Sequence, residues 1–107
     1  MALPHAASGE VITLQSGGED FSQFSSIALA KTEGLELIRM IMPKGKSMPE
    51  HHVMAEVTLL CLQGEIEVDA HGAVKVLRAG EMLYLLGGQA HALTAVQDSL
   101  VLLTILL

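Results

Sequence analysis

The sequence predicts a single all-β domain, an aliphatic sandwich or barrel with little or no helix. Three observations predict it. Short apolar or alternating segments recur between glycine-bearing turns at spacings of roughly 8–12 residues, the rhythm of β-sandwiches and barrels. No stretch carries the 3.6-residue apolar period of an amphipathic helix. Half of the 107 residues are apolar, yet Phe21, Phe24 and Tyr84 are the only aromatics, so Leu, Ile, Val, Met and Ala must fill the interior. A chain of this length buries roughly two-thirds of its unfolded surface, enough for one core.

Taken in order, residues 1–9 are small, proline-containing and weakly patterned, an extended arm. Residues 10–14 (EVITL) are short and β-branched, which favours a strand. Residues 16–20 (SGGED) form a turn, and residues 21–26 a short polar strand or an irregular loop. Residues 26–32 and 35–42 flank Glu33-Gly34, a hairpin signal. In the second of these runs, LELIRMIM, neither alternating face is polar, so the strand is expected to be covered on both sides. Pro43-Lys44-Gly45 ends it.

Residues 57–62 (VTLLCL) are a continuous apolar run bounded by Gly64, hence a buried strand. Residues 65–70 (EIEVDA) alternate cleanly, with Ile66 and Val68 on one face and Glu65, Glu67 and Asp69 on the other, as a half-exposed strand does. His71-Gly72, Ala79-Gly80 and Gly87-Gly88-Gln89 then turn the chain into strands at 73–77, 82–86 and 92–96. After Gln97-Asp98, residues 99–107 complete the domain.

The net charge of −6 and six scattered basic residues leave no basic stripe for nucleic acid. With Cys61 alone, no disulfide can form within the chain, which is compatible with a reducing compartment. The opening MALPHAASGE has neither a basic head nor a sustained apolar run, so no signal peptide is expected. Residues 100–107 are apolar but fall far short of the ~20 needed for a membrane helix. The expected setting is the cytoplasm, with no membrane partner. A positive mean hydropathy is unusual for so small a chain, and a subunit interface would bury the excess. A homodimer is therefore expected, built from the apolar C-terminal strand and the extendable arm.

Residues 45–64, GKSMPEHHVMAEVTLLCLQG, carry the chemistry. His51 and His52 stand between Glu50 and Glu56, and imidazoles and carboxylates gathered within seven residues can hold a metal or orient a polar ligand. Neighbouring strand residues point to opposite faces, so both histidines face inward only if a bulge or turn intervenes. Met48 and Met54 flank the pair as candidate pocket walls, while the other methionines within apolar runs read as packing. Cys61 reads as a small core residue that lines the pocket if it points inward; no cationic neighbour argues for a nucleophile. Tyr84 is a core aromatic with a polar partner or a donor into the cavity. His5 in the arm and His71 in a hairpin turn suit solvent-exposed roles.

The segment 45–64, followed by 80–91, resembles the two motifs of the cupins, small β-barrels of jelly-roll topology also described as RmlC-like. The likeness covers residues 34–107 and is nearest to small single-domain cupins of the cupin-2 type. The second motif matches in spacing at Gly80, Gly88 and His91, with Leu86 where proline is usual and Ala95 where asparagine is common. The first matches less regularly. Counting from Gly45 places His51 in a histidine position; counting from Gly64 places Val57 in the glutamate position and, with the longer spacer, Glu50 and His52 in the histidine positions. A one-residue bulge would make Glu56 the glutamate, again with Glu50 and His52.

This resemblance implies His52 and His91 inside the barrel, with Glu50 or Glu56 as the third group, or else the set His51, His52 and His91. Two imidazoles and a carboxylate resemble a facial triad that leaves positions open on Fe, Mn, Ni or Zn. The implied function is small-molecule binding in the barrel through a divalent metal, and, if catalytic, a metal-assisted dioxygenase, isomerase or decarboxylase. The alternative is a metal-independent sensor or partner-binding module.

Overall fold

Clean alternation and continuous apolar runs end up in different sheets. The computed structural model describes residues 5–51 and 53–107, with His51 described by its backbone alone. Among these residues the elements are β1 (Ser25–Lys31), β2 (Leu35–Met42), β3 (Ser47–His51), β4 (Glu56–Gln63), β5 (Glu65–Ala70), β6 (Ala73–Arg78), β7 (Met82–Leu85), β8 (His91–Ala95) and β9 (Ser99–Leu106), with no helix. They pair antiparallel into a five-stranded sheet, β1-β2-β9-β4-β7, and a four-stranded sheet, β3-β8-β5-β6. Among the described residues no helix is long and apolar enough to cross a membrane.

The inner faces meet in one aliphatic core. Met40 and Met42 of β2, Val57, Leu59 and Cys61 of β4, and Val101 and Ile105 of β9 pack against Ile66 and Val68 of β5 and Leu93 and Ala95 of β8. Each of these sets keeps the even spacing, two residues or four, that puts side chains on one face of a strand. The EIEVDA segment behaves as its alternation predicts: Ile66 and Val68 are fully buried, and Asp69 is exposed.

Residues 10–14 do not form a strand. They cross the outer face of the five-stranded sheet as irregular chain, with Ile12 and Leu14 half-buried. Arg39 of β2 donates to the Thr13 carbonyl at 3.5 Å, and the Gln15 amide donates to the Leu62 carbonyl of β4 at 3.2 Å. The segment therefore passes from β2 to β4 over the intervening β9. Beneath it, Ile41 and Leu100 lie side by side and buried, outside the central core cluster. The β-branched signal was real, but its apolar residues are satisfied by lying on a sheet face instead of joining its ladder.

The arm is anchored where β1 is irregular. A register shift between Ala28 and Ala30 takes Leu29 out of the pairing with β2, and its carbonyl accepts the Ala6 amide at 2.8 Å. Residues 1–4, the start of the expected arm, lie outside the described residues.

Candidate functional site

Of the described histidines and carboxylates singled out, His91 is the one the fold buries. It opens β8, on the same inward-facing set as Leu93 and Ala95, and only 2% of it reaches solvent. Its Nδ1 lies 3.1 Å from the Gln89 carbonyl oxygen. A carbonyl can only accept, so Nδ1 carries the proton, and in the neutral ring Nε2 is the basic nitrogen. Fixing one ring nitrogen through a backbone carbonyl is how metal-ligating or proton-accepting imidazoles are commonly oriented.

Opposite His91 runs β3, an edge strand of the four-stranded sheet. Met48 pairs with Leu93 and His51 with His91, three steps on β3 against two on β8, so β3 carries one extra residue across Pro49 and Glu50. This is a β-bulge, and an edge strand is where a proline without an N–H is tolerated. The bulge resets the alternation: parity counted from Met48 does not carry through to the histidines, and it is the His51 backbone that stands in register with His91. His52 lies outside the described residues.

The loop on either side is held by close backbone contact. Gly88 donates its N–H to the Val53 carbonyl at 2.6 Å, and a Cβ at Gly87 would run into the Met54 carbonyl oxygen. Residues 53–55 and the turn leading to His91 are thereby pressed together, which is the reason for a glycine at 87.

The remaining candidates are spread over different surfaces. Met48 sits on the inner side of β3, packed against the core, and Glu50 is exposed beside it. Both line a groove of about 350 Å³ together with Phe24, Lys46, Ser47 and Pro49. The Lys46 ammonium lies 5.2 Å from the centre of the Phe24 ring, a cation–π contact at the rim. Cys61 is fully buried in the core; burial pushes its thiol pKa up, and Sγ lies 3.4 Å from the Gln63 carbonyl, so it is a packing residue and not a thiolate.

Met54, expected as a pocket wall, is 83% exposed. Glu56 and Tyr84, expected toward the interior, instead share the outer face of the five-stranded sheet. Their inward-facing neighbours are Val57 and Leu85, and the Tyr84 hydroxyl donates to Glu56 Oε2 at 3.0 Å. Among the described residues no three His, Cys, Asp or Glu side chains converge as a metal cage. Sequence reasoning missed Phe24 and Lys46 as groove residues. Lys46 sits only two positions before Met48 and was within reach; Phe24 arrives from beyond β2 and gave no local sign.

Two sheets of antiparallel strands closed over one aliphatic core form a double-stranded β-helix, the fold of the cupins. Solved structures agree. A cupin superfamily protein of Desulfitobacterium hafniense superposes with a TM-score of 0.84 at 21% identity, over 100% of this chain and 99% of that one. A conserved Streptococcus pyogenes protein of unknown function gives 0.83 at 20% identity, covering 99% and 94%. An RmlC-like cupin of Methanocaldococcus jannaschii with a double-stranded β-helix fold gives 0.78 at 14% identity, covering 94% and 93%. No family model and no curated protein matches the sequence.

Proposed function

We propose that the barrel binds a small molecule at a divalent metal ion, Fe, Mn, Ni or Zn, carried by His91 with the His51–His52 pair and completed by Glu50. The observation that carries this reading is the buried His91 ring, protonated at Nδ1 by its contact with the Gln89 carbonyl and therefore basic at Nε2. The β3 bulge supports it, because it brings the His51 backbone into register with His91. A metal there would supply Lewis acidity, polarising an oxygen of the bound molecule. The chain's own part is to orient the imidazole, to exclude water through Leu93 and Met48, and to admit the ligand past the β3 edge.

Metal content of protein purified without a polyhistidine tag tests this against a His52→Ala, His91→Ala double variant. Near-stoichiometric metal in the native protein and its loss in the variant is the expected result. Equal and negligible metal in both would sink the metal version.

A second reading, a metal-independent binding module, is favoured by the groove itself. Its floor is apolar at Phe24, Met48 and Pro49, with Lys46 and Glu50 supplying opposite charges. Thermal-shift screening separates the two, because a ligand that binds only the folded state raises its apparent stability. A shift by Mn or Zn salts that the double variant lacks supports the first reading. A shift by organic compounds in the presence of a chelator supports the second.

A further inference from the structure

Strand β1 is an edge of the five-stranded sheet and β3 an edge of the four-stranded one. The groove of about 350 Å³ is lined from both: by Phe24, the residue before β1, and by residues 46–50, of which 47–50 belong to β3. Phe24 and Met48 also pack against the core cluster, so the fold itself holds the floor in place. A volume of about 350 Å³ stands at the small end of ligand pockets, which run roughly 300–1,000 Å³, and suits one small molecule. A peptide adding itself to β3 as a further strand is disfavoured, because Pro49 has no N–H to give to a ladder.

The polar groups narrow the chemistry. Among the described residues lining the groove, Lys46 is the one cation and Glu50 the one anion. The Lys46 ammonium is placed over the apolar floor, 5.2 Å from the centre of the Phe24 ring, and meets no carboxylate among the described residues. The Ser47 hydroxyl is engaged with that of Thr94 at 3.1 Å. Glu50 is exposed and stands past the extra residue of β3, at the other end of the groove. An ammionium over a ring keeps N–H donors for a carboxylate, which only accepts. The chain's net charge of −6 does not decide against an anion there, because salt screens charges beyond about 8 Å and leaves the near ammonium dominant.

We propose that this groove binds an apolar monocarboxylate, an aryl-substituted or medium-chain aliphatic acid, with its carboxylate on Lys46 and its ring or chain on Phe24, Met48 and Pro49. Glu50 selects for a single charge by repelling a second carboxylate at the far end. The proposal rests on the reading of the groove as a metal-independent binding site and names the ligand class of that site.

Titration of hydrocinnamate and of octanoate into the full chain with a chelator present, followed by backbone-amide NMR, should give saturable shifts at Phe24 and at residues 46–48. Hydrocinnamamide has the same shape without the charge and phenethylamine has the opposite charge; each should bind at least about threefold more weakly than hydrocinnamate. Lys46→Met keeps an apolar stem at an exposed position; it should weaken both carboxylates by about three- to tenfold and leave the amide unchanged. Added salt should weaken the carboxylates alone. An amide bound as tightly as hydrocinnamate, a preference for phenethylamine, or carboxylate binding indifferent to Lys46→Met overturns the ligand class and leaves the groove as a binding site. No saturable shift with any of these compounds overturns the proposal together with the reading beneath it. Shifts that require added Zn and centre on His91 put the carboxylate on the metal instead, and overturn it as well.

Discussion

The outer faces of the two sheets are opposites. On the four-stranded sheet β5 turns Glu65, Glu67 and Asp69 outward, and β6 sets Val74, Val76 and Arg78 opposite them, in water. On the five-stranded sheet the outward residues of β2, β9 and β4 are mostly leucine, and part of that face is roofed by residues 12–15. One sheet has a single dry face and the other has nearly two. The difference teaches how to read a strand: alternation marks a sheet half in water, while an unbroken apolar run marks one with cover on both sides.

The sharpest way to break this comparison is to truncate matched outward positions. Leu100 faces outward from β9 yet has no solvent exposure, and Val76 faces outward from β6 and is 37% exposed. Leu100→Ala should destabilise by about 2–5 kcal/mol, as for a core leucine. Val76→Ala should cost less than about 0.5 kcal/mol. Urea unfolding of the two variants measures both; equal small losses would mean that residues 12–15 do not cover β9 in solution.

A smaller effect is expected where the two sheets exchange chain. The turn from β7 to β8 leaves one sheet for the other, and two adjacent glycines there do different things. Gly87 lacks a positive φ but leaves no room for a Cβ beside the Met54 carbonyl; Gly88 has φ of 79° and open space around it. Gly87→Ala therefore forces the 53–55 segment to move and should cost about 1–3 kcal/mol. Gly88→Ala meets only backbone strain and should cost about 1 kcal/mol. Thermal unfolding ranks them, and the reverse order would show that conformation, not contact, limits this turn.

The fold was legible because its signals are local. VTLLCL, EIEVDA and the glycine turns each announce their own strand, and the buried, inward His91 follows from a motif spacing that fits. The site was only half legible because β3 combines Pro49 with a bulge, and one extra residue reverses every assignment made by alternation beyond it. Glu56 and Tyr84 show the same limit from the other side. Glu56 borders an apolar run that says buried sheet and Tyr84 sits within one, but only the pairing of β4 with β7 says which face they take. EVITL went astray because β-branching reports a preference for a half-buried extended chain, which a roof over a sheet also provides.

The least effect is expected from the hydrogen bond that crosses the leucine-rich face. Its counterpart on the wet sheet is the exposed Arg78–Glu65 ion pair at 3.5 Å, which salt should screen. Donation from the Tyr84 hydroxyl to Glu56, reinforced by partial loss of water, pushes the Tyr84 pKa above its ordinary value. The folded state thus holds the phenol proton more tightly than the unfolded chain. The resulting stabilisation is fully present below the unfolded tyrosine pKa near ~10 and is lost as pH rises through the folded value. Tyr84→Phe should accordingly lower the midpoint of thermal unfolding slightly at pH 8, and the gap to the native protein should close as pH climbs above ~10. Added salt should change that gap less than it changes the effect of Arg78→Ala. A gap that widens with pH would mean that Glu56 and Tyr84 do not share this proton in solution.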